Sequence, residues 1–91
     1  MVSFDDIKRM INMEKNRVIL GTNMTIKMIK NGKVEKVFLA KNAPEEIKRD
    51  ILYYSKLGNF EVEELNYTNE EIGIILKKPF KISVISILKN G

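Results

Sequence analysis

The stretch RVILGTNMTIKMIKNGKVEKVFLAKNAP, residues 17–44, decides the fold class because it contains two strands with a helix between them. Residues 17–20 and residues 34–40 are short apolar runs, which are typical of buried strands. The first run ends at Gly21-Thr22-Asn23, where either Thr22 or Asn23 is suited to cap the helix. The Asn31-Gly32 pair then predicts the end of that helix.

A first helix is predicted over residues 4–15. Ser3 followed by Asp6 resembles a capping box, in which a hydroxyl and a carboxylate meet free amides at a helix start. The apolar residues at helical spacing in this segment are Phe4, Ile7, Met10 (or Ile11) and Met13. In the helix between the two strands, the predicted core contacts are Ile26 and Ile29, with Met24 and Met28 on a different side.

Two further helices and two further strands are predicted after residue 43. Pro44 suits the first turn of a third helix, which has Ile47, Ile51 and Tyr54 on one face and ends at Gly58. Residues 60–63 alternate as a half-buried strand does. Thr68 and Glu71 form a capping box for a fourth helix with Ile72, Ile75 and Leu76 on its apolar side. Pro79 ends that helix, and residues 82–88 predict a last apolar strand.

The resulting order, α-β-α-β-α-β-α-β, predicts an α/β fold. We expect one domain over residues 1–91, a three-layer α-β-α sandwich with a four-stranded mixed sheet, mainly parallel, and helices on both faces. Ligands bind such sheets at the carboxyl ends of the strands. Those ends are Gly21-Thr22-Asn23 and Asn42-Ala43-Pro44.

Composition excludes several function classes. The 91 residues include no cysteine and no histidine, which removes disulfides, thiolate metal sites, thiol nucleophiles and the commonest general base. We therefore expect no cofactor, no metal site and no catalysis. Neither a membrane span nor a signal peptide is apparent, which predicts a soluble intracellular protein.

Charge is distributed unevenly along the chain. Residues 1–44 contain nine basic and four acidic side chains, residues 45–71 three basic and eight acidic, and residues 72–91 four basic and none acidic. A fold that joins the first and last segments would have one positive face, which suits a polyanion. A solvated lysine-rich surface is the alternative. The acids from Glu61 to Glu71 are typical of a solvated face rather than of a catalytic pair.

Four residues near the first two strand ends are candidates for nucleic-acid contact. Gly21 permits close approach of a backbone, although it also suits a simple tight turn. Asn23 and Lys27 share a helix face, where an amide can bind a base edge and an ammonium a phosphate. Their alternative roles are a helix cap and a solvated lysine. Asn42 is a second polar candidate, or only the cap of the third helix.

The segment around the fourth helix supplies further candidates. Glycine inside a helix costs about 1 kcal/mol relative to alanine, so Gly73 indicates either close packing or a neighbouring ligand backbone. Phe80 lies between Lys78 and Lys81, an arrangement that suits a base stacked on a ring with phosphates alongside. The alternative is that Phe80 enters the core where the last strand begins.

These residues belong to five motifs that occur in a fixed order. The motifs are Gly21-x-Asn23-x-x-x-Lys27, Asn42-Ala-Pro44, Tyr53-Tyr54, Asn69-Glu-Glu-Ile-Gly73, and Lys78-Pro-Phe80-Lys81 followed by Ser83-Val-Ile-Ser-Ile-Leu. From about Arg17 to Gly91 the chain resembles the kink-turn RNA-binding superfamily of archaeal and eukaryotic ribosomal proteins, most of all its L-thirty-e branch. The L-seven-A-e branch has a glutamate at the position of Met24 and an aliphatic loop at that of Phe80.

The resemblance implies an α-β-α sandwich that binds a kinked RNA internal loop with tandem sheared G·A pairs. It implies that Gly21 and Thr22 approach the RNA backbone, and that Asn23 and Lys27 contact the G·A pairs and nearby phosphates. Asn42 would hydrogen-bond RNA. The remaining implied site residues are Gly73, which keeps the fourth helix close, Phe80, which stacks on an extruded base, and the flanking Lys78 and Lys81.

The function that follows is that of a structural constituent of the large ribosomal subunit, bound to rRNA in the cytoplasm and monomeric when free. Neighbouring ribosomal proteins are further candidate partners, and a membrane is not. The alternative is a kink-turn adaptor outside the ribosome, either a guide-RNA particle subunit or an autoregulator of its own mRNA. A small enzyme or nucleotide-binding domain is disfavoured because the chain lacks a phosphate-binding glycine fingerprint.

Overall fold

The structure is a computed structural model that describes residues 3–90; Met1, Val2 and Gly91, which belong to the predicted domain, lie outside these residues. Four helices and four strands alternate in the predicted order. They are α1 (Phe4–Met13), β1 (Val18–Leu20), α2 (Thr22–Lys30), β2 (Val34–Leu39), α3 (Glu45–Gly58), β3 (Glu61–Glu64), α4 (Asn69–Ile75) and β4 (Val84–Leu88). A single 3-10 turn, Lys15–Arg17, joins α1 to β1.

The four strands form one mixed sheet in the order β1-β4-β2-β3. Strand β4 lies between β1 and β2 and is antiparallel to both, and only β2 and β3 pair in parallel. The mixed sheet is confirmed, but the expectation that it is mainly parallel is wrong.

The short fourth helix explains this reversal. Seven residues of α-helix span only about 10 Å, too little to carry the chain back to the other end of the strands, where a parallel strand would begin. Lys77 then adopts the left-handed conformation, with φ 58°, and turns the chain back. The Ile82 amide donates to the Asn69 carbonyl oxygen at 3.0 Å, so β4 begins beside the start of α4. It therefore runs in the opposite direction to β2.

Helices cover both faces of the sheet, which confirms the three-layer sandwich. On one face, α1 and α4 pack against β2 and β4 through a core that includes Phe4, Ile7, Phe38, Ile72 and Ile85. On the other face, α2 and α3 pack through a second core whose buried members are Ile29, Val34, Val37, Leu39, Ile51 and Val84. Each face supplies apolar contacts for its own pair of helices.

Two helices differ in detail from the sequence-based prediction. Helix α1 ends at Met13, not at residue 15, and the Met13 side chain is 76% exposed. In α2 the buried residues are Thr25 and Ile29, and Ile26 and Met28 pack at the side of the second core. Burial of Thr25 is possible because its hydroxyl donates to the Ser86 hydroxyl of β4 at 3.0 Å.

The termini of several elements also shift. Strand β3 begins at Glu61, one residue later than predicted, and β4 begins at Val84 instead of residue 82. Pro44 is the N-cap of α3 and lies just before its first turn. Helix α4 ends at Ile75, well before Pro79, because the left-handed Lys77 already breaks it.

Candidate nucleic-acid interface

Three loops meet at one edge of the sheet. Strands β1 and β2 run in the same direction because each is antiparallel to β4, so their carboxyl ends lie beside the amino end of β4. The Gly21 amide donates to the Val84 carbonyl oxygen and the Ala40 amide to the Ser83 carbonyl oxygen, both at 2.9 Å. We call this edge, formed by residues 21–23, 40–44 and 77–83, the loop edge.

The first loop leads directly into α2. Gly21 has φ 124° and ψ 157°, a conformation that only glycine adopts readily, and it is itself the N-cap of the helix. The tight-turn reading of Gly21 is therefore confirmed. A Cβ at this position would have no heavy atom within 4 Å, apart from its chain neighbours and the helix backbone, so the approach to Gly21 is also open.

The start of α2 exposes hydrogen-bond donors at the loop edge. The predicted capping by Thr22 or Asn23 is wrong, since neither is the N-cap and no side chain of residues 3–90 caps this helix. Thr22 is half-buried, and Asn23 and Lys27 are exposed. Uncapped amides at a helix start and the positive end of the helix dipole favour a bound anion.

The second loop is tied to α4 through two asparagines. The Asn69 amide donates to Asn42 Oδ1 at 2.8 Å, and Asn42 Nδ2 donates to Asn69 Oδ1 at 3.3 Å. Asn42 thus binds the start of α4, and its expected alternative role as the cap of α3 is wrong. A primary amide offers two donor hydrogens and an acceptor oxygen with two lone pairs, so the exposed Asn42 keeps capacity for further hydrogen bonds.

Asn69 joins the second and third parts of this edge, a role that the sequence does not reveal. Its Nδ2 donates to Ser83 Oγ at 3.2 Å, and its carbonyl oxygen accepts from Ile82. In the sequence, Asn69 follows the capping residue Thr68 and begins the motif Asn69-Glu-Glu-Ile-Gly73, but neither feature identifies its tertiary partners. Because residues 42, 69 and 83 are far apart in sequence, their contact depends on the tertiary fold.

The third loop presents an aromatic ring to solvent. Phe80 is 52% exposed, so the alternative reading, in which it enters the core, is wrong. Gly73 is buried against the backbone of Phe80, and a Cβ there would overlap the Phe80 carbonyl oxygen. The Lys78 amide donates to the Gly73 carbonyl oxygen at 2.9 Å. Of the two readings of Gly73, close packing is therefore correct.

Electrostatics distinguish the loop edge from the β3 side of the sheet. The first and last basic segments are adjacent, because β1 pairs with β4. The acidic middle segment lies partly on β3, where Lys36 Nζ is 3.0 Å from Glu63 and Lys48 Nζ is 3.2 Å from Glu64. Lys27 and Lys81 are exposed, and Lys78 is half-buried. Their ammonium groups suit phosphate contacts at the loop edge.

The capping box at α4 has a structural effect on a titratable group. The Thr68 amide donates to Glu71 Oε1 at 2.9 Å, and the Glu71 amide donates to the Thr68 hydroxyl at 3.2 Å. The Thr68 amide holds the pKa of the Glu71 carboxyl below its ordinary value, helped by the Thr68 hydroxyl. Between residues 3 and 90, no cluster of acidic, histidine or cysteine side chains has a geometry that could hold a metal ion.

Comparison with known proteins identifies similar sequences. The model of the ribosomal protein L7Ae/L30e/S12e/Gadd45 family matches residues 5–91. The large ribosomal subunit protein eL30 of Methanocaldococcus jannaschii is 37% identical over 78 residues, which are 86% of this chain and 71% of that protein. The eL30 protein of Methanosphaera stadtmanae is 40% identical over 88 residues, 94% of this chain and 90% of that one.

Solved structures share the fold at lower identity. A Giardia lamblia 15.5kD RNA binding protein matches with a TM-score of 0.74 and 18% identity, covering 99% of this chain and 78% of that one. A Bacillus halodurans protein of unknown function matches with a TM-score of 0.73 and 20% identity, covering 86% and 77% respectively. No helix in residues 3–90 is long and apolar enough to cross a membrane.

Proposed function

Because the chain belongs to the ribosomal protein L7Ae/L30e/S12e/Gadd45 family, we propose that it is a structural constituent of the large ribosomal subunit. The match to proteins named eL30, which extends over most of the chain, supports this role. In this role, the protein binds and stabilises a kinked internal loop of rRNA, associates with ribosomes in the cytoplasm and performs no catalysis.

The observation that supports this proposal most directly is the convergence of three loops at the loop edge. Gly21, Asn42 and Phe80 are far apart in sequence, and hydrogen bonds to the residues around Ser83 tie their loops together. The edge combines open backbone, an amide, ammonium groups and an exposed aromatic ring. These are the groups that bind phosphates, base edges and unstacked bases in RNA.

Each predicted site residue then has a role that its position permits. Gly21 and Thr22 approach the RNA backbone, and Asn23 and Lys27 contact the sheared G·A pairs and their phosphates. Phe80 stacks on an extruded base while Lys78 and Lys81 neutralise the flanking phosphates.

Two site residues act partly through the protein itself. Asn42 hydrogen-bonds RNA with the polar capacity that remains after its contacts with Asn69. Gly73 is buried against the backbone of Phe80, so it does not face the RNA; it positions the loop that does.

A binding titration against two RNAs tests the proposal. One RNA contains a kink with tandem sheared G·A pairs, and its twin has those pairs converted to Watson–Crick pairs. The titration is repeated at two salt concentrations, because phosphate contacts alone give a steep salt dependence that is blind to the kink. We expect a clear preference for the kinked RNA at both concentrations. Equal affinity for the two RNAs would contradict the proposal.

Co-sedimentation tests the ribosomal part of the role separately. We expect the tagged protein to sediment with large ribosomal subunits in a gradient and to remain there at moderate salt. If it binds kinked RNA but sediments with smaller particles or with its own message, the adaptor role outside the ribosome replaces the ribosomal one.

A further inference from the structure

A cleft between α1 and the edge strand β1 adjoins the loop edge. It contains two neighbouring cavities of about 400 Å³ and about 310 Å³, both lined by Ile11, Asn12 and Lys78. Val18 and Leu20 of β1 line the first cavity, and Ile75 at the end of α4 lines the second. We call this groove the α1 cleft.

The rim of the α1 cleft is basic. Lys15 and Lys78 line the first cavity, and Lys8, Lys77 and Lys78 line the second. Lys8 lies on α1, and Lys15 begins the 3-10 turn that follows this helix. Within the described part of the chain, no aspartate or glutamate lines either cavity. Such a rim is complementary to a polyanion.

The α1 cleft is continuous with the proposed RNA surface at two points. Leu20 in its floor immediately precedes Gly21, and Lys78 on its rim begins the loop that ends in Phe80 and Lys81. Lys78 also lines the shallow cavity around Phe80. An RNA strand bound at the loop edge would therefore leave it beside this groove.

We propose that the α1 cleft binds the phosphate backbone of one helical arm of the RNA whose kink occupies the loop edge. This proposal rests on the proposed function and extends the RNA-binding surface onto α1. None of the predicted site residues lies on that helix. The four ammonium groups would neutralise successive phosphates, and the apolar floor would accommodate the sugar edges. The contact is independent of base sequence, because phosphates are the same at every position.

The experiment compares three RNAs that share the same kink. One has minimal arms, and the other two each have one arm lengthened by a helical turn. The test variant is Lys8→Gln/Lys15→Gln, which removes two exposed charges from the rim. The matched control is Lys30→Gln/Lys56→Gln, which removes two exposed charges from the last turns of α2 and α3. These turns lie at the end of the strands that is opposite the loop edge. Thermal unfolding of both variants checks that the fold is retained.

We expect the wild-type protein to bind one of the long-armed RNAs more tightly than the minimal RNA, and the control variant to retain that advantage. The test variant should lose this advantage. For that RNA, the slope of log binding constant against log salt concentration should become less steep by about 2, one unit for each lost phosphate contact. Its affinity for the minimal RNA should stay within about twofold of the wild-type value, whereas Phe80→Ala should weaken binding of all three RNAs.

Four outcomes would overturn the proposal. If the wild-type protein binds all three RNAs equally, or if the test variant retains the long-arm advantage, the cleft does not contact RNA although the proposed function stands. If the test variant binds every RNA normally but no longer associates with large subunits, the cleft binds an acidic protein instead. If the wild-type protein does not prefer the kinked RNA, the proposed function fails, and the cleft proposal fails with it.

Discussion

The carbonyl oxygen of Phe80 lies so close to Gly73 that a Cβ on residue 73 would overlap it. This contact explains a glycine inside α4, where glycine costs about 1 kcal/mol relative to alanine. The backbone of the loop rests on the helix at this point, and Phe80 is 52% exposed. The absence of a side chain at the buried Gly73 therefore lets the loop backbone pack directly against α4.

Gly73→Ala should lower both stability and RNA affinity. The added methyl group meets backbone, which cannot rotate away, so we expect about 1–3 kcal/mol of strain against about 1 kcal/mol gained in helix propensity. The control is Gly58→Ala, where the nearest atoms belong to the Phe60 ring at 3.2 Å and 3.3 Å. Urea unfolding and RNA titration measure the two effects. A Gly73→Ala protein as stable as Gly58→Ala, with unchanged RNA affinity, would refute the packing argument.

Phe80→Ala should weaken RNA binding without lowering stability appreciably. Loss of one stacked base costs about 1–3 kcal/mol, or roughly 5- to 150-fold in affinity. The ring is 52% exposed, so its removal forfeits little core packing. Tyr53→Ala is the matched control, because Tyr53 is an aromatic residue 61% exposed on α3. Isothermal titration calorimetry with the kinked RNA measures the affinity of each variant. Equal RNA affinities for Phe80→Ala and Tyr53→Ala would mean that the stacking surface does not include Phe80.

Substitutions at Asn42 should separate a structural role from an RNA-binding one. Asn42→Ala removes the acceptor for the Asn69 amide at the start of α4 and should cost about 0.5–2 kcal/mol, as other lost helix caps do. Asn42→Asp retains an acceptor and adds a negative charge that a helix start favours, so it should recover most of the stability. The same charge would repel RNA phosphates. We expect thermal unfolding near that of the wild-type protein but much weaker RNA binding; unchanged binding would exclude Asn42 from the interface.

Local patterns in the sequence predict most of the architecture. The element order follows from apolar runs and turn residues, and the capping box at Thr68 and Glu71 occurs as predicted. The exposure of Phe80 remained open, because a ring that follows proline near a strand start fits either the core or the surface. In the structure Phe80 is 52% exposed, and its carbonyl oxygen contacts Gly73, seven residues earlier.

The direction of β4 depended on features with no local signal. Lysine rarely adopts a positive φ, so the sequence around Lys77 does not predict the turn that reverses the chain. The buried Thr25 was also missed, since a threonine is expected at the surface unless its partner is known. That partner, Ser86, is 61 residues away. Asn69 belongs to one of the five motifs, but its bridging role has no local signal, because its two side-chain partners belong to other loops.

Acid should weaken the capping box at the start of α4. The pKa of Glu71 is lowered in the folded protein, so its contribution to stability is present above the ordinary value of 4.5 and disappears as the pH falls through the lower folded value. Wild-type protein should therefore lose stability below about pH 4.5 relative to Glu71→Gln, whose side chain does not titrate. Glu70→Gln removes a charge from the same turn without touching the capping box, so at neutral pH it should be more stable than Glu71→Gln. Urea unfolding from pH 7 to pH 2, with NMR titration of the Glu71 carboxyl, measures both effects. A constant difference between wild-type and Glu71→Gln proteins over the whole range would mean that the carboxylate does not stabilise the helix start.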